Sequence, residues 1–302
     1  MMLRLLPRVV LGAVLLLNSC ALLSQPGAGA TVATLQGAAV DELSGLAVSR
    51  ADPTVLWGHN DSGDGAVLYR IGFDGEDLGS TRIPGISAID WEDIAAFDWN
   101  GKPALLIADV GDNKANRVAV TLYAVTDPGR TGDAKLLWQL DFHYADGPRD
   151  CESITVDPVD HAVILLTKRE YPQRLYRLPL PTATPPVGVA TPELLGEVRS
   201  IPRRSPLDQI LHPGIGAFFG QPTALDLSPD GGRVLVVTYK DVLLYRRAPG
   251  QSWVETLNQT PEALAYGHLK QAEAGTFAPD GLSLFVSSEG LNAPLVRLPV
   301  KP

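Results

Sequence analysis

Along most of this chain hydrophobic and polar residues alternate with a period of two, in short runs broken by Asp-Gly, Asn-Gly and Asp-Pro pairs. That period puts successive side chains on opposite faces of an extended strand, so the pattern predicts β-strands joined by tight turns. The runs repeat as a unit. SGLAVS from Ser44 turns at Asp52-Pro53 into VLWGHN, and ESITVDP from Glu152 turns at Asp160-His161 into AVILLTK, without a gap between the two copies. EDIAAFD from Glu92, TALDLSP from Thr223 and EAGTFAP from Glu273 open three more copies, each turning into a more continuously apolar run. A third strand follows every hairpin, at 66–72, 118–125, 174–180, 241–247 and 293–299, and fourth strands are expected at 78–83, 135–144, 193–200 and 253–257.

Four-stranded units repeating along a chain are the signature of a β-propeller. The expected fold is therefore all-β, a single propeller of five countable blades. The length leaves room for six, and residues 203–221 are the place for either a long loop or a degenerate extra blade. The fifth unit runs out of chain after its third strand. The segment TVATLQG (31–37) is expected to supply its missing edge and close the ring.

The N-terminus breaks the pattern. Arg4 and Arg8 mark a short basic start, and a nearly all-apolar run from Val9 to Leu17 leads into Leu17-Asn18-Ser19-Cys20. This reads as a signal peptide over 1–19 with Cys20 as a lipidated first residue, a flexible tether over 20–30 and the propeller over 31–302. Simple secretion or a retained anchor are the other readings of the same segment. The lipoprotein reading implies a cell-envelope protein held to a membrane through its N-terminal lipid and facing the periplasm or the exterior. After Cys20 the only cysteine is Cys151, so the body has no intrachain disulfide, and Cys151 is expected to be buried and inert.

The chain carries 34 acids against 25 Lys and Arg, a net charge of −9. This balance excludes nucleic acid as a partner and suits cations. A monomer binding a small-molecule or protein ligand is expected.

The repeat also predicts which residues meet. In a propeller the first strand of each blade lines the central channel, so Ser44, Glu92, Glu152, Thr223 and Glu273 share one end of it. Two residues earlier stand Glu42, Asp90, Asp150, Gln221 and Gln271. Glu42, Asp90, Glu92, Asp150, Glu152 and Glu273 are thus the expected metal-binding acids. The loops after the second strands should surround them and supply Asn60, Asp61, Asp64, Asn113, Arg117, Lys168, Arg169, Tyr239, Lys240 and Glu289 as ligand-binding residues. Crowded carboxylates recruit a cation, share protons or pair with basic groups. Six to eight oxygens at about 2.3–2.6 Å suit Ca²⁺. Lys168, Arg169, Lys240 and Arg117 could instead build an internal ion-pair network or hold an anionic group. Neither polar loop has the spacing of a calcium-binding helix–loop–helix motif.

The strings HNDSGDG, DWEDIA, ADVGDN with Arg117, YADGPRDCES, LLTK, SPDG with VVTY, and SSEG resemble exported bacterial propeller proteins of poorly defined function, related to the phytase-esterase-like and SdiA-regulated propeller families. The resemblance covers most of residues 40–299. Related propellers of the gluconolactonase type hold one divalent metal in the channel mouth, and by that likeness Glu92, Glu152, Asn113 and Asp109 are its candidate ligands. Two functions are carried forward. One is a binding or scaffold lipoprotein with a ligand or divalent cation at an acidic mouth. The other is a metal-dependent hydrolase of a phosphoester, ester or lactone, in which Asp109 or Asp112 serves as the base.

Overall fold

A computed structural model of the chain describes residues 30–182, 188–264, 266 and 269–301. Residues 1–29, which hold the expected signal segment, Cys20 and all of the expected tether except Ala30, lie outside the described residues.

Each hairpin unit forms an antiparallel four-stranded sheet, and the described residues contain five such sheets. Blade one is β2 (Leu43–Val48), β3 (Val55–Asn60), β4 (Val67–Gly72) and β5 (Asp77–Arg82); blade two is β6 (Trp91–Trp99), β7 (Lys102–Asp109), β8 (Val120–Thr126) and β9 (Leu136–Phe142). Blade three is β10 (Cys151–Asp157), β11 (Ala162–Thr167), β12 (Gln173–Pro179) and β13 (Glu193–Val198). Blade four is β14 (Pro222–Leu227), β15 (Arg233–Thr238), β16 (Val242–Arg246) and the short β17 (Glu262–Leu264). Blade five is β18 (Ala272–Phe277), β19 (Ser283–Ser288) and β20 (Pro294–Pro299), and its outer edge is β1 (Thr31–Thr34), which pairs from Thr31 opposite Arg297 to Thr34 opposite Pro294. This strand from the other end of the chain closes the ring and removes a free edge.

The first strands pack side by side around the axis, β2 on β6, β6 on β10, β10 on β14, β14 on β18 and β18 back on β2. The core is correspondingly divided into five layers, one between each pair of neighbouring blades. Trp57, Leu68, Trp91 and Leu105 fill the layer between blades one and two, and Leu106, Trp138, Ile154 and Tyr176 fill the next. A middle strand is therefore covered on both faces. This is why the second strand of each hairpin reads as an unbroken apolar run and is buried nearly throughout.

Residues 203–221 are the long loop of the two expected alternatives and form no sixth blade. They hold a one-turn helix, α1 (Pro206–Leu211), capped by Ser205 and Asp208, and a 3-10 turn at Ile215–Ala217. Residues 253–257 are not a strand but the helix α2 (Trp253–Leu257). Ser252 and Glu255 form a reciprocal capping box there, and Trp253 and Leu257, one turn apart, bury together in the layer between blades three and four. The fourth strand of that blade is β17, farther along the chain.

Buried carboxylates tie blades to one another. Asp127 accepts from Ser49 and from the Trp57 indole at 2.9 Å, linking blades two and one. Asp93, fully buried near the axis, accepts from the backbone N–H groups of Ile94, Ile154 and Leu225, which belong to blades two, three and four. Its partners are backbone groups of its own strand and of the first strands of two other blades, which no motif in the sequence marks.

Candidate functional site: the acidic channel mouth

All five first strands carry a β-bulge at the same place. Trp91 pairs with Asp109 and Asp93 with Ala108, so Glu92 is skipped, and Ser44, Glu152, Thr223 and Glu273 are skipped in the same way. The bulged positions are the five aligned polar residues. An extra residue in a strand bends it and re-aims a side chain, and here the bulge turns the acids toward the channel mouth. Where the bulged residue carries a hydroxyl it ties blades instead: Ser44 donates to the Glu92 carbonyl at 3.1 Å and Thr223 to the Ala272 carbonyl at 2.8 Å.

The mouth is a cavity of ≈ 360 Å³ lined by Asp61, Glu92, Asn113, Glu152, Lys168, Arg169, Tyr239, Gln271, Glu273 and Glu289, with Ile215 and Phe218 from the 203–221 insertion beside them. Two triads of carboxylate oxygens, each within 4.8 Å of one another, meet there: Asp61 with Asp90 and Glu92, and Glu92 with Asp150 and Glu152.

The two triads differ in what neutralises them. Glu152 pairs with Lys168, whose ammonium also donates to the Tyr239 hydroxyl at 2.9 Å, and Tyr239 donates in turn to Glu273 at 2.5 Å. Asp150 pairs with Arg169 and accepts from the Asp112 N–H at 2.9 Å, while Arg169 also donates to Asn113. Asp61, Asp90 and Glu92 make no contact ion pair among the described residues, although the Lys168 ammonium acts on Glu92 and Asp61, and Arg117 on Asp90, from farther off. The Glu92 side chain makes no hydrogen bond there, although the residue is only 4% exposed, and one oxygen of Asp61 is buried without a partner. Gly111 leaves room for this arrangement: a Cβ on it would sit 2.0 Å from a Glu92 oxygen and 2.5 Å from one of Asp90.

The acids respond electrostatically. Burial, with Glu152 and Asp61 beside it, pushes the Glu92 carboxyl well above the usual range. Burial and then Asp61 and Asp150 raise Asp90 to about 6. Glu152 is pushed up to about 8 by burial against the pull of Lys168, and Glu289 to about 9 by burial and its contact with Glu273. Burial draws the Lys168 ammonium down, but Glu152 and Glu92 outweigh it and keep it charged.

No family model and no curated protein matches the chain. Among solved structures it is similar to a chain in the crystal structure of a nidogen/laminin complex, with 13% identity, 86% of each chain covered and a TM-score of 0.45. No functional statement rests on that likeness.

Of the acids expected at the mouth, the structure gathers Asp90, Glu92, Asp150, Glu152 and Glu273 but leaves Glu42 exposed outside it. Blade one contributes Asp61 instead. Of the expected ligand-binding residues, Asp61, Asn113, Lys168, Arg169, Tyr239 and Glu289 line the cavity. Asn60 and Asp64 hold the 61–66 loop together: the Asn60 amide donates to the Ala39 carbonyl and to Asp64, and the Tyr69 hydroxyl donates to Asp64 at 2.8 Å. Lys240 pairs with Asp208 at 2.8 Å and so anchors α1. Arg117 pairs with the buried Asp109 at 2.8 Å, and Asp109 also accepts from the N–H groups of Ile89 and Asp90. Asp112 accepts from the N–H groups of Asn116 and Arg117. Asp109 and Asp112, the carboxylates expected to act as bases, thus shape loops behind the mouth and do not line it. Cys151 is fully buried, and burial lifts its thiol to about 12.

Sequence reasoning missed Gly111 as a spacer, Gln271 as a lining residue, and Ile215 and Phe218. Gly111 stands inside the GDN string, where a small residue flanked by acids was the available signal.

Proposed function

We propose that the channel mouth binds a divalent cation of the Ca²⁺ type, and that the protein is an exported propeller that uses this mouth face for binding. The observation that carries the reading is Glu92, a buried carboxylate without a protein partner at the corner shared by two acidic triads. Leaving a buried carboxylate unpaired costs several kcal/mol unless it is protonated or meets a cation. Asp61, Asp90 and Glu92 each bring a carboxylate oxygen within 4.8 Å of the others, and oxygen is the kind of ligand that Ca²⁺ takes. Lys168 and Arg169 already balance the second triad, so the cation belongs to the first. The sequence supports export, through the signal-like segment and Cys20.

A hydrolytic mechanism would need an unengaged base beside the cation, and Asp109 and Asp112 are both engaged. Binding is therefore the reading put forward. Calorimetric titration of the protein with CaCl₂ tests it: one saturable site in the parent and none in Glu92→Gln supports it. Equal heats from the two proteins, or none from either, would overturn it. Turnover of generic esters lost in the same variant would restore the hydrolase.

A further inference from the structure

The two ends of the propeller differ in what they expose. The mouth end carries Val118 (90% exposed) after β7, Leu291 (63%) after β19 and Ile89 (58%) before β6. In the insertion between blades three and four, Leu207, Ile210 and Leu211 project from α1 at 59, 74 and 62% exposure. Their spacing of three and four puts them on one side of a helical turn, while Asp208 on the other side is buried against Lys240. The far end shows Val159, Val189 and Leu282 as single residues on separate turns. Scattered apolar residues need no explanation, but a cluster at one tip does.

Exposed basic groups stand beside α1 on the mouth end. Arg203 and Arg204 precede α1, are exposed, and have no carboxylate partner among the described residues; Arg203 lies over the Tyr171 ring at 3.5 Å and Arg204 donates to the Ala217 carbonyl at 2.8 Å. Lys114 and Lys270, also exposed and without an ion pair among the described residues, lie on the same end. Of the mouth acids, Glu92, Asp150, Glu152 and Glu273 are buried behind this rim, and Asp61, Asp90 and Glu289 are half-buried. The exposed Asp41 and Glu42 lie on blade one, across the ring from the insertion, and Asp146 is held by Arg149 and Arg174. A basic, apolar tip on a protein of net charge −9 matches a surface that is negatively charged and apolar just beneath. Amphipathic helices at lipid interfaces have this composition, and the Debye length of about 8 Å at physiological salt confines the contest of charges to the tip.

We propose that the mouth end, led by α1, docks on an anionic lipid bilayer. Leu207, Ile210 and Leu211 enter the headgroup region, and Arg203 and Arg204 meet lipid phosphates. Docked in this way the channel mouth faces the membrane, so its ligands are drawn from that surface. The contact needs no N-terminal lipid, because every paired strand lies within residues 31–299.

The test is flotation of residues 21–302, which lack the lipidation cysteine, with phosphatidylcholine vesicles with and without phosphatidylglycerol. Binding to the anionic vesicles alone is expected. Arg203→Gln with Arg204→Gln should weaken it about thirtyfold. Ile210→Ser with Leu211→Ser should abolish it, whereas Val159→Ser with Leu282→Ser at the far end should leave it unchanged. All these positions are exposed, and unchanged melting temperatures certify folding. The proposal falls if neither vesicle binds, if both mouth-end variants bind like the parent, or if the apolar tip instead makes the protein dimerise and Ile210→Ser with Leu211→Ser only restores the monomer.

Discussion

Glu92 concentrates the chemistry of this protein in one side chain. In the cation-free protein its buried carboxylate is a liability, so Glu92→Gln should raise the melting temperature measured in chelator, by an amount in keeping with about 1–3 kcal/mol for an unpaired buried polar group. Gly111→Ala acts on the same place by volume. The new methyl would displace the Glu92 and Asp90 carboxylates, and a loss of calcium heats without loss of the folded state is the expected calorimetric result. Asp93 is the structural counterpart. Asp93→Ala strands N–H groups of three blades and should cost more than 2 kcal/mol in urea unfolding. The mouth acids were legible in the sequence because the repeat aligned them. The roles of Asp93, Asp109 and Asp112 were not, since an acid capped by backbone N–H groups is spelled no differently from an acid that waits for a ligand.

At the scale of elements, the hairpins were readable because a period of two and a turn pair mark each one, and the all-apolar second strands announced burial on both faces. Failure came where another local rule was stronger. Ser252 and Glu255 specify a helix start, and that start overrides the strand pattern expected across 253–257. Pro206 at the first turn of α1, behind Ser205, does the same in the insertion. The bulges were invisible, although they decide which way Glu92, Glu152 and Glu273 point, because a bulge is a count across two strands and leaves no mark in one. Ring closure belongs to this scale too. Deleting residues 31–34 exposes the edge of β20, and a lowered melting temperature with concentration-dependent aggregation is expected in light scattering.

Across the whole molecule, five similar blades bring acids from four of them, far apart in the chain, into one cavity, and Lys168 and Arg169 pair with only part of that charge. Asp226, at the opposite end of the channel, shows the effect of protons alone. Burial raises it to about 6 from an ordinary 3.8 although it accepts from the N–H of Phe277 at 2.8 Å. The native state thus holds that proton more tightly than the unfolded chain. The stability it contributes is present below pH 4 and lost as pH rises through 6. Asp226→Asn should flatten the melting temperature across that window, and a slope equal to the parent's would refute the assignment.

The claim on which the rest depends is that Asp61 of blade one and Asp90 and Glu92 of blade two converge on one cation. A crystal structure of the protein grown with CaCl₂, with anomalous differences collected at long wavelength, addresses it directly. The account predicts a single strong peak at the channel mouth, about 2.3–2.6 Å from oxygens of those three side chains. A map with no peak there, or with a Glu92 carboxylate turned away from Asp61 and Asp90, would contradict it.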